Sequence, residues 1–212
     1  RSMLILDSRE SNTGRLIRVD TRTGETTVLV EDPQYDVYEV LIDDETYEVQ
    51  AASFIKERKE WVFFNADTEK AFETISKLND GDVSFISGSE DDRIWLLAFT
   101  SDDEPLSYYI YNREEDVGTH LFDELPELNN YTLAKTEPIS FKSRDGLTIH
   151  GYITFPPGSK RQDLPMILNV HGGPWSRDTW GFDPEVQWMA NRGYVVLQIN
   201  FRGSSGYGKD FL

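Results

Sequence analysis

Met166-Ile-Leu-Asn-Val-His-Gly-Gly-Pro-Trp175 joins a short apolar run to a turn that contains two glycines. The apolar run predicts a β-strand that is buried on both faces, as strands of covered parallel sheets are. Gly172 and Gly173 tolerate positive φ, and without side chains they let another molecule approach the backbone N–H groups closely. Pro174 has no N–H group. The candidate hydrogen-bond donors of this turn are therefore the amides of Gly172, Gly173 and Trp175.

The residues that follow the turn predict a helix and a second strand. Asp183 is a capping residue, Pro184 suits the first helical position, and Gly193 ends the helical pattern. The apolar stretch Tyr194–Asn200 then predicts another buried strand. Two strands joined in this way are expected to pair in parallel through a right-handed crossover. The glycine turn is then at the carboxyl end of its strand, where open α/β sheets bind ligands.

The chain before this unit is rich in short strands and turns. Strand-like segments end at Asp20, Asn65 and Asn112, which are 45 and 47 residues apart. Periods of about 40 to 50 residues with several strands each are typical of β-propeller blades; an antiparallel sandwich is the alternative. Around Asp145-Gly146, two alternating segments predict a hairpin. We place a domain boundary near residue 130, between residues 1–130 and 131–212.

Two features interrupt the β pattern of the first 130 residues. A capping Asp67, apolar residues at helical spacing and a terminal Gly81 predict a short helix near residues 67–80. Clusters of acidic residues fall between the predicted strands. They lack the spaced ligands and glycine of a calcium loop, so we expect them to be solvated loop tips. The clusters are Asp43–Glu45, Glu90–Asp92, Asp102–Glu104 and Glu114–Asp116.

Composition limits the classes of function. The formal net charge is −17, from 38 acidic and 21 basic residues, which argues against nucleic acid or an anionic membrane as the main partner. There is no cysteine, so a thiolate nucleophile and a zinc–thiolate site are excluded. We predict no metal and no cofactor. The apolar runs are too short for a membrane span and the N-terminus lacks signal-peptide features, so a cytoplasmic location is expected.

The serines and histidines do not complete a hydrolase triad. Neither Ser204 nor Ser205 has glycines two positions away on both sides, so neither fits the G-x-S-x-G elbow of α/β-hydrolases. In that fold the triad histidine follows the serine and the acid, whereas His120, His150 and His171 all precede these serines. We therefore expect the loop after residue 200 to be a tight turn with Arg202 in a structural ion pair. His171 is assigned to shaping the glycine turn.

Several motifs together resemble the start of the catalytic domain of the prolyl oligopeptidase family, closest to its acylaminoacyl-peptidase and dipeptidyl-aminopeptidase-like branch. Weaker similarity extends upstream through Asp145–Tyr152 into the blades. The motifs are His171–Trp175, Trp180–Trp188, Ala190–Tyr194 and Asn200–Gly208.

The resemblance implies C-terminal blades of a β-propeller, about two to three, followed by the first strands and helix of an α/β-hydrolase domain. It implies a serine peptidase that cleaves peptides through an acyl-enzyme, behind a propeller that filters substrates by size. Gly173 matches the position whose amide stabilises the oxyanion, with Gly172 and His171 shaping that loop. Pro174, Trp175 and Arg202 are expected to be structural residues near the site.

The chain ends before the family's nucleophile elbow. We therefore expect a fragment that is inactive alone, that needs the remainder of the hydrolase domain to act on a peptide substrate, and that self-associates through exposed strand edges. One alternative is a carboxylesterase or lipase fragment, because those enzymes also use a His-Gly-Gly loop. The other is a non-catalytic binding module, which predicts a stable monomeric fold.

Overall fold

The computed structural model describes residues 1–173 and 175–212. Pro174, expected to be a structural residue of the glycine turn, lies outside the described residues. The described chain is mostly antiparallel β-sheet with few helices. No helix in this part of the chain is long and apolar enough to cross a membrane.

Three of the sheets are antiparallel meanders, in which each strand pairs with its neighbour in sequence. The first contains β1 (Ser2–Asp7), β2 (Arg15–Asp20) and β3 (Thr26–Val30). The second contains β4 (Val37–Ile42), β5 (Val49–Ile55) and β6 (Lys59–Phe63). The third contains β7 (Asp82–Gly88), β8 (Ile94–Thr100), β9 (Ser107–Asn112) and β10 (Val117–Asp123).

A fourth sheet is formed by the C-terminal residues in the spatial order β11-β12-β14-β13. The predicted hairpin across Asp145-Gly146 is confirmed as β11 and β12, and the predicted parallel pairing is confirmed between β13 and β14. The strands are β11 (Thr136–Lys142), β12 (Thr148–Thr154), β13 (Met166–Asn169) and β14 (Val195–Asn200). The helices are α1 (Ala66–Ile75), α2 (Pro184–Asn191) and a 3₁₀ turn at Pro126–Asn130.

The sequence repeat corresponds to a repeated turn. The side chains of Asp20, Asn65 and Asn112 each accept hydrogen bonds from the backbone amides two and three residues later, at 2.7 to 3.2 Å. Side chains of this type stabilise turns by taking the place of a backbone acceptor. After β2 and β9 the turn leads to the next antiparallel strand, whereas after β6 it leads to α1. The helix therefore occupies the chain position that a strand has in the other two sheets.

Both predicted ends of this helix were wrong. Asn65, which has extended backbone and accepts from two amides, is the N-cap, and Asp67 lies in the first turn. The helix ends at Ile75 because, after the Ser76 cap, the amides of Lys77 and Leu78 bond carbonyls three residues back, which tightens the chain out of α geometry. Gly81 has another reason to be glycine: a Cβ there would lie 2.7 Å from the Thr100 carbonyl oxygen.

The apolar side of α1 packs into a core with the second and third sheets. Ile75 is fully buried, and Phe72 contacts the aromatic rings of Trp61, Phe63 and Trp95 at 4.9 to 6.2 Å between centroids. Burying each large apolar side chain contributes about 1.5–3 kcal/mol. The predicted packing role of this stripe is thereby confirmed.

A second core joins the first two sheets to the C-terminal residues. Tyr207 and Phe211 are buried against Leu16, Tyr35 and Val37 of the first two sheets and the turn between them. The C-terminal loop is therefore anchored by apolar burial in the N-terminal part of the chain.

The structure corrects two predictions about exposure. Asp102 is only 5% exposed, because its carboxylate accepts from the Thr136 amide and its carbonyl accepts from Gln187; it is not a solvated loop tip. The strand β13 is not covered on both faces, since Met166 and Leu168 are 59% and 54% exposed. Within the described chain β13 is an edge strand, and α2 covers only the face that carries Ile167.

The prediction for α2 is confirmed. Asp183 accepts from the amides of Glu185 and Val186, and Pro184 begins the helix. Gly193 follows the C-cap with φ of 91°, a left-handed conformation that glycine adopts without a Cβ clash.

Candidate active-site loop

The site is built from two loops at the carboxyl ends of β13 and β14. We call residues 170–180 the His171 loop and residues 201–208 the glycine-rich loop. Parallel pairing places Asn169 opposite Gln198, so both loops leave the same edge of the sheet. The amide of Ser205 donates to the carbonyl of Ser176 at 2.9 Å, which joins the loops directly.

Gly173 has a backbone conformation that disfavours any other residue. Its φ is 141°, and a Cβ would lie 2.8 Å from the amide nitrogen of Trp175. Gly172, Gly173 and Trp175 are all exposed. Among residues 1–173 and 175–212, their amides have no hydrogen-bond acceptor. The turn therefore presents accessible N–H groups to solvent or to a bound molecule.

His171 holds the start of this turn against the glycine-rich loop. Its ring stacks on Phe201 with centroids 4.4 Å apart. Its Nδ1 lies 3.0 Å from the Gly172 carbonyl oxygen and its Nε2 lies 2.9 Å from the hydroxyl oxygen of Ser204. Because a carbonyl can only accept, a neutral His171 carries its proton on Nδ1 and accepts from Ser204 through Nε2.

This pairing resembles a base and its nucleophile, but burial argues against that role. The exposed fraction of Ser204 is 0%, so a substrate carbonyl has no path to its oxygen. A reacting serine needs an exposed Oγ, as the G-x-S-x-G turn provides. The contact between His171 and Ser204 therefore fixes the loop.

A buried asparagine at the end of β14 positions the far side of the His171 loop. The Asn200 side chain, 0% exposed, accepts from the Asp178 amide at 2.7 Å and donates to the Asp178 carbonyl at 3.0 Å. It also donates to the Tyr207 hydroxyl at 2.8 Å. This role of Asn200 was not predicted from the sequence, although a polar residue at the end of an apolar strand is a signal for it.

The carboxylate of Asp178 is incompletely paired. Oδ1 accepts from Gln198 at 3.3 Å, while the buried Oδ2 has no donor among the residues that the structure describes. Burial raises the pKa of Asp178, and the nearby His171 opposes this shift. The ionised form of Asp178 is therefore disfavoured in the folded chain.

Arg202 points away from this network and toward the β11–β12 hairpin. Its guanidinium donates to the Asp145 carboxylate and to Ser143, so the structure places it in an ion pair. The Ser143 hydroxyl and Arg202 lower the pKa of Asp145 to about 2. Both partners are exposed, and such pairs stabilise a fold weakly.

A groove of about 450 Å³ lies beside the His171 loop. One wall comes from Trp175, Arg177 and Gly206, and the other from Tyr38 of β4 and Ile55 of β5. Trp175 and Tyr38 are 78% and 59% exposed, so two aromatic side chains stand at its sides. The groove therefore offers a binding surface next to the exposed amides. In the described part of the chain, His, Asp and Glu residues form no group of three or more placed to hold a metal ion.

Comparisons with known proteins agree on one family. A sequence profile of the prolyl oligopeptidase family matches residues 180–212. Over its whole length the chain is 38% identical to dipeptidyl aminopeptidase BIII of Pseudoxanthomonas mexicana, of which it covers 32%. Over 61% of its length it is 39% identical to dipeptidyl peptidase family member 6 of Caenorhabditis elegans, of which it covers 20%.

The fold is similar to that of a solved acylaminoacyl peptidase of Pyrococcus horikoshii. The TM-score is 0.61 at 22% identity, over 97% of this chain and 31% of that chain. The chain thus spans a third or less of the length of the relatives that it matches.

Proposed function

Because this chain belongs to the prolyl oligopeptidase family, we propose that it is part of a serine peptidase that hydrolyses peptides through an acyl-enzyme. In this proposal residues 1–130 are blades of a β-propeller and residues 131–212 begin an α/β-hydrolase domain. Three antiparallel meanders with equivalent turns support the first assignment. The parallel β13–α2–β14 unit supports the second.

The Gly173 amide is proposed to bind the substrate carbonyl oxygen as it becomes negative. The observation that carries this role is an exposed glycine with φ of 141° at the carboxyl end of a strand. Its amide has no acceptor among the described residues. An oxyanion donor works because it is already directed to where charge develops, and removing one costs roughly 10²–10³ in rate.

The reacting serine, its acid and its base are proposed to lie outside these 212 residues. Ser204 is buried, and each histidine has a structural contact. His120 binds Asp123 at 2.8 Å, and His150 stacks on Tyr207 at 5.1 Å. His171 is engaged with Ser204 at 2.9 Å. The remainder of the hydrolase domain is then the partner that completes the site around a peptide substrate.

A fluorophosphonate probe, which reacts with activated serines, tests this proposal. We expect the 212-residue chain to remain unlabelled and the complete gene product to be labelled at one serine. Labelling of the short chain would contradict the assignment of its serines, and an unlabelled complete product would contradict a serine peptidase. Turnover of an N-blocked aminoacyl amide and of its matched ester would separate a peptidase, which hydrolyses both, from a carboxylesterase, which hydrolyses only the ester.

The exposed edge strand supports self-association of the 212-residue chain. Met166 and Leu168 of β13 are more than half exposed, and an unpaired apolar edge favours pairing with another chain. Size-exclusion chromatography at several concentrations tests this; a monomer with one sharp melting transition would favour the binding-module alternative.

A further inference from the structure

The tip of the β5–β6 hairpin is held by side chains from the C-terminal part of the chain. Arg177 donates to the carbonyl of Ile55 at 3.0 Å and to that of Lys56 at 3.3 Å. The Tyr152 hydroxyl donates to the next carbonyl, that of Glu57, at 3.0 Å. Three consecutive carbonyls of one hairpin therefore accept from residues that are 95 to 122 positions away.

The same guanidinium is fastened to the glycine-rich loop. Arg177 donates to the Tyr207 hydroxyl at 2.7 Å, and its Cζ lies 4.1 Å from the centre of the Tyr207 ring. Gly206 leaves room for it, since a Cβ there would lie 2.7 Å from Arg177 Nη1. Tyr207 is in turn bonded to Asn200 at 2.8 Å. Arg177 thus links the second sheet, the glycine-rich loop and the His171 loop to which it belongs.

The loop segment that carries Gly173 has little support of its own. Gly172, Gly173, Trp175 and Ser176 are exposed, so apolar burial does not define their positions. The backbone bond from Ser205 to Ser176 and the polar contacts of the next residue, Arg177, therefore fix the C-terminal end of this segment. Catalysis is sensitive to such placement, because a shift of about 1 Å in a positioned group costs roughly 10²-fold in rate.

We propose that Arg177 is a positioning residue. By binding the tip of the β5–β6 hairpin, it fixes the position of the Gly173 amide relative to the reacting serine. This inference rests on the proposed peptidase function. Its consequence is that the N-terminal sheets contribute to the chemical step itself, in addition to any control of substrate entry.

Kinetics of the complete gene product test the inference. We expect Arg177→Ala to lower kcat about 10- to 100-fold, while KM for a short amide substrate changes by less than about threefold, because uniform binding is retained. Arg177→Lys should recover only part of kcat, since one ammonium cannot reproduce the planar fork of donors.

Arg113→Lys is the matched control. Arg113 also stacks on an aromatic ring, Trp95, at 4.3 Å and donates to a backbone carbonyl, that of Asp92, at 3.1 Å, but it belongs to the segment after β9 in the third sheet. We expect this variant to keep kcat. An equal loss of kcat in Arg177→Lys and Arg113→Lys would show that Arg177 acts only through general stability, and it would overturn the proposal.

Hydrogen exchange of the Asp178 and Ser205 amides in the 212-residue chain gives a readout that needs no activity. Both amides donate across the two loops, to the Asn200 side chain and to the Ser176 carbonyl. We expect exchange of these two amides to be about tenfold faster in Arg177→Ala than in the unmodified chain and in Arg113→Lys, since an ordering contact is lost. An active wild type whose Arg177→Ala variant keeps both kcat and exchange protection would overturn this inference alone. A complete product without any amide hydrolysis would instead refute the proposed function.

Discussion

The Nε2 atom of His171 lies 2.9 Å from the hydroxyl oxygen of Ser204, and Ser204 is fully buried. The distance alone is that of a catalytic base and its nucleophile, whereas the burial makes the pair a clamp between two loops. Because the clamp starts one residue before the glycines, it fixes where the exposed turn begins.

Replacing Ser204 with alanine should therefore destabilise the chain. His171 Nε2 would lose its donor in a half-buried position, and such a loss costs about 1–3 kcal/mol. Urea unfolding of the 212-residue chain measures the effect. Ser205→Ala is the control, because Ser205 joins the loops through its backbone amide, which alanine keeps; equal stability of the two variants would contradict the clamp.

Substitution of Gly173 by alanine should lower kcat of the complete gene product by roughly 10²-fold, as expected for a displaced oxyanion donor. The displacement follows because a Cβ at φ of 141° would lie 2.8 Å from the Trp175 amide nitrogen. Gly158→Ala is matched to it, since Gly158 also has positive φ, 68°, but no atom within 4 Å of its Cβ position. Steady-state kinetics should show a loss only in the first variant; full activity of Gly173→Ala would remove Gly173 from the mechanism.

The structure identifies Asn65, and not Asp67, as the N-cap of α1. Asn65→Ala should reduce the free energy of unfolding by about 1 kcal/mol, because two amides lose their acceptor. Asn65→Asp should be nearly neutral, since aspartate is an equally good cap. Asp67→Ala should cost less, roughly 0.3–1 kcal/mol, through the helix dipole alone. Urea unfolding would contradict this cap if Asp67→Ala were the more harmful change.

The pH dependence of stability should report the buried carboxylate of Asp178. Its pKa is raised in the folded state by burial, so the stability it contributes is present below the unfolded value, 3.8, and is lost as pH rises through the folded pKa. Asp178→Asn removes this titration. The variant should therefore gain stability relative to the wild type as pH increases from 3.5 toward neutrality, as measured by urea unfolding at each pH.

Asp145→Asn is the control, because its stability relative to the wild type should change with pH in the opposite direction to that of Asp178→Asn. The pKa of Asp145 is lowered to about 2, so its contribution is present above 3.8 and is lost as pH falls toward 2. This variant should lose stability relative to the wild type as pH rises across that interval. The same trend in both variants would show that the two carboxylates do not differ in environment as described.

Local signals in the sequence were sufficient to predict the helices and strands. They were insufficient to predict how those helices and strands are buried and what they contact. The Asp145-Gly146 hairpin and the Asp183-Pro184 helix start were predictable because neighbouring residues alone determine such turns and caps. The start of α1 was misplaced because both Asn65 and Asp67 can cap, and only the end of β6 decides between them.

Exposure and long-range contacts were beyond the sequence pattern. The apolar composition of β13 indicates a buried strand, yet burial also depends on which element lies beside it. The role of Arg177 depends on residues 121 and 122 positions earlier, and no periodicity records such a pairing. The need for glycine at position 173 is local, since it follows from a positive φ; the oxyanion role of Gly173 comes from the family resemblance and stays a prediction.

The contacts of the β5–β6 hairpin have a practical consequence for engineering. Surface turns usually accept inserted tags or new chain termini, and the turns at Gly24 and Gly158 fit that expectation, since nothing lies within 4 Å of either Cβ position. The turn after Ile55 is polar and charged in sequence, Lys56-Glu-Arg-Lys59, but the carbonyls of Ile55, Lys56 and Glu57 accept hydrogen bonds from Arg177 and Tyr152. A fluorescent label or split site placed there would disturb the candidate active-site loop, whereas one at Gly24 would leave it intact.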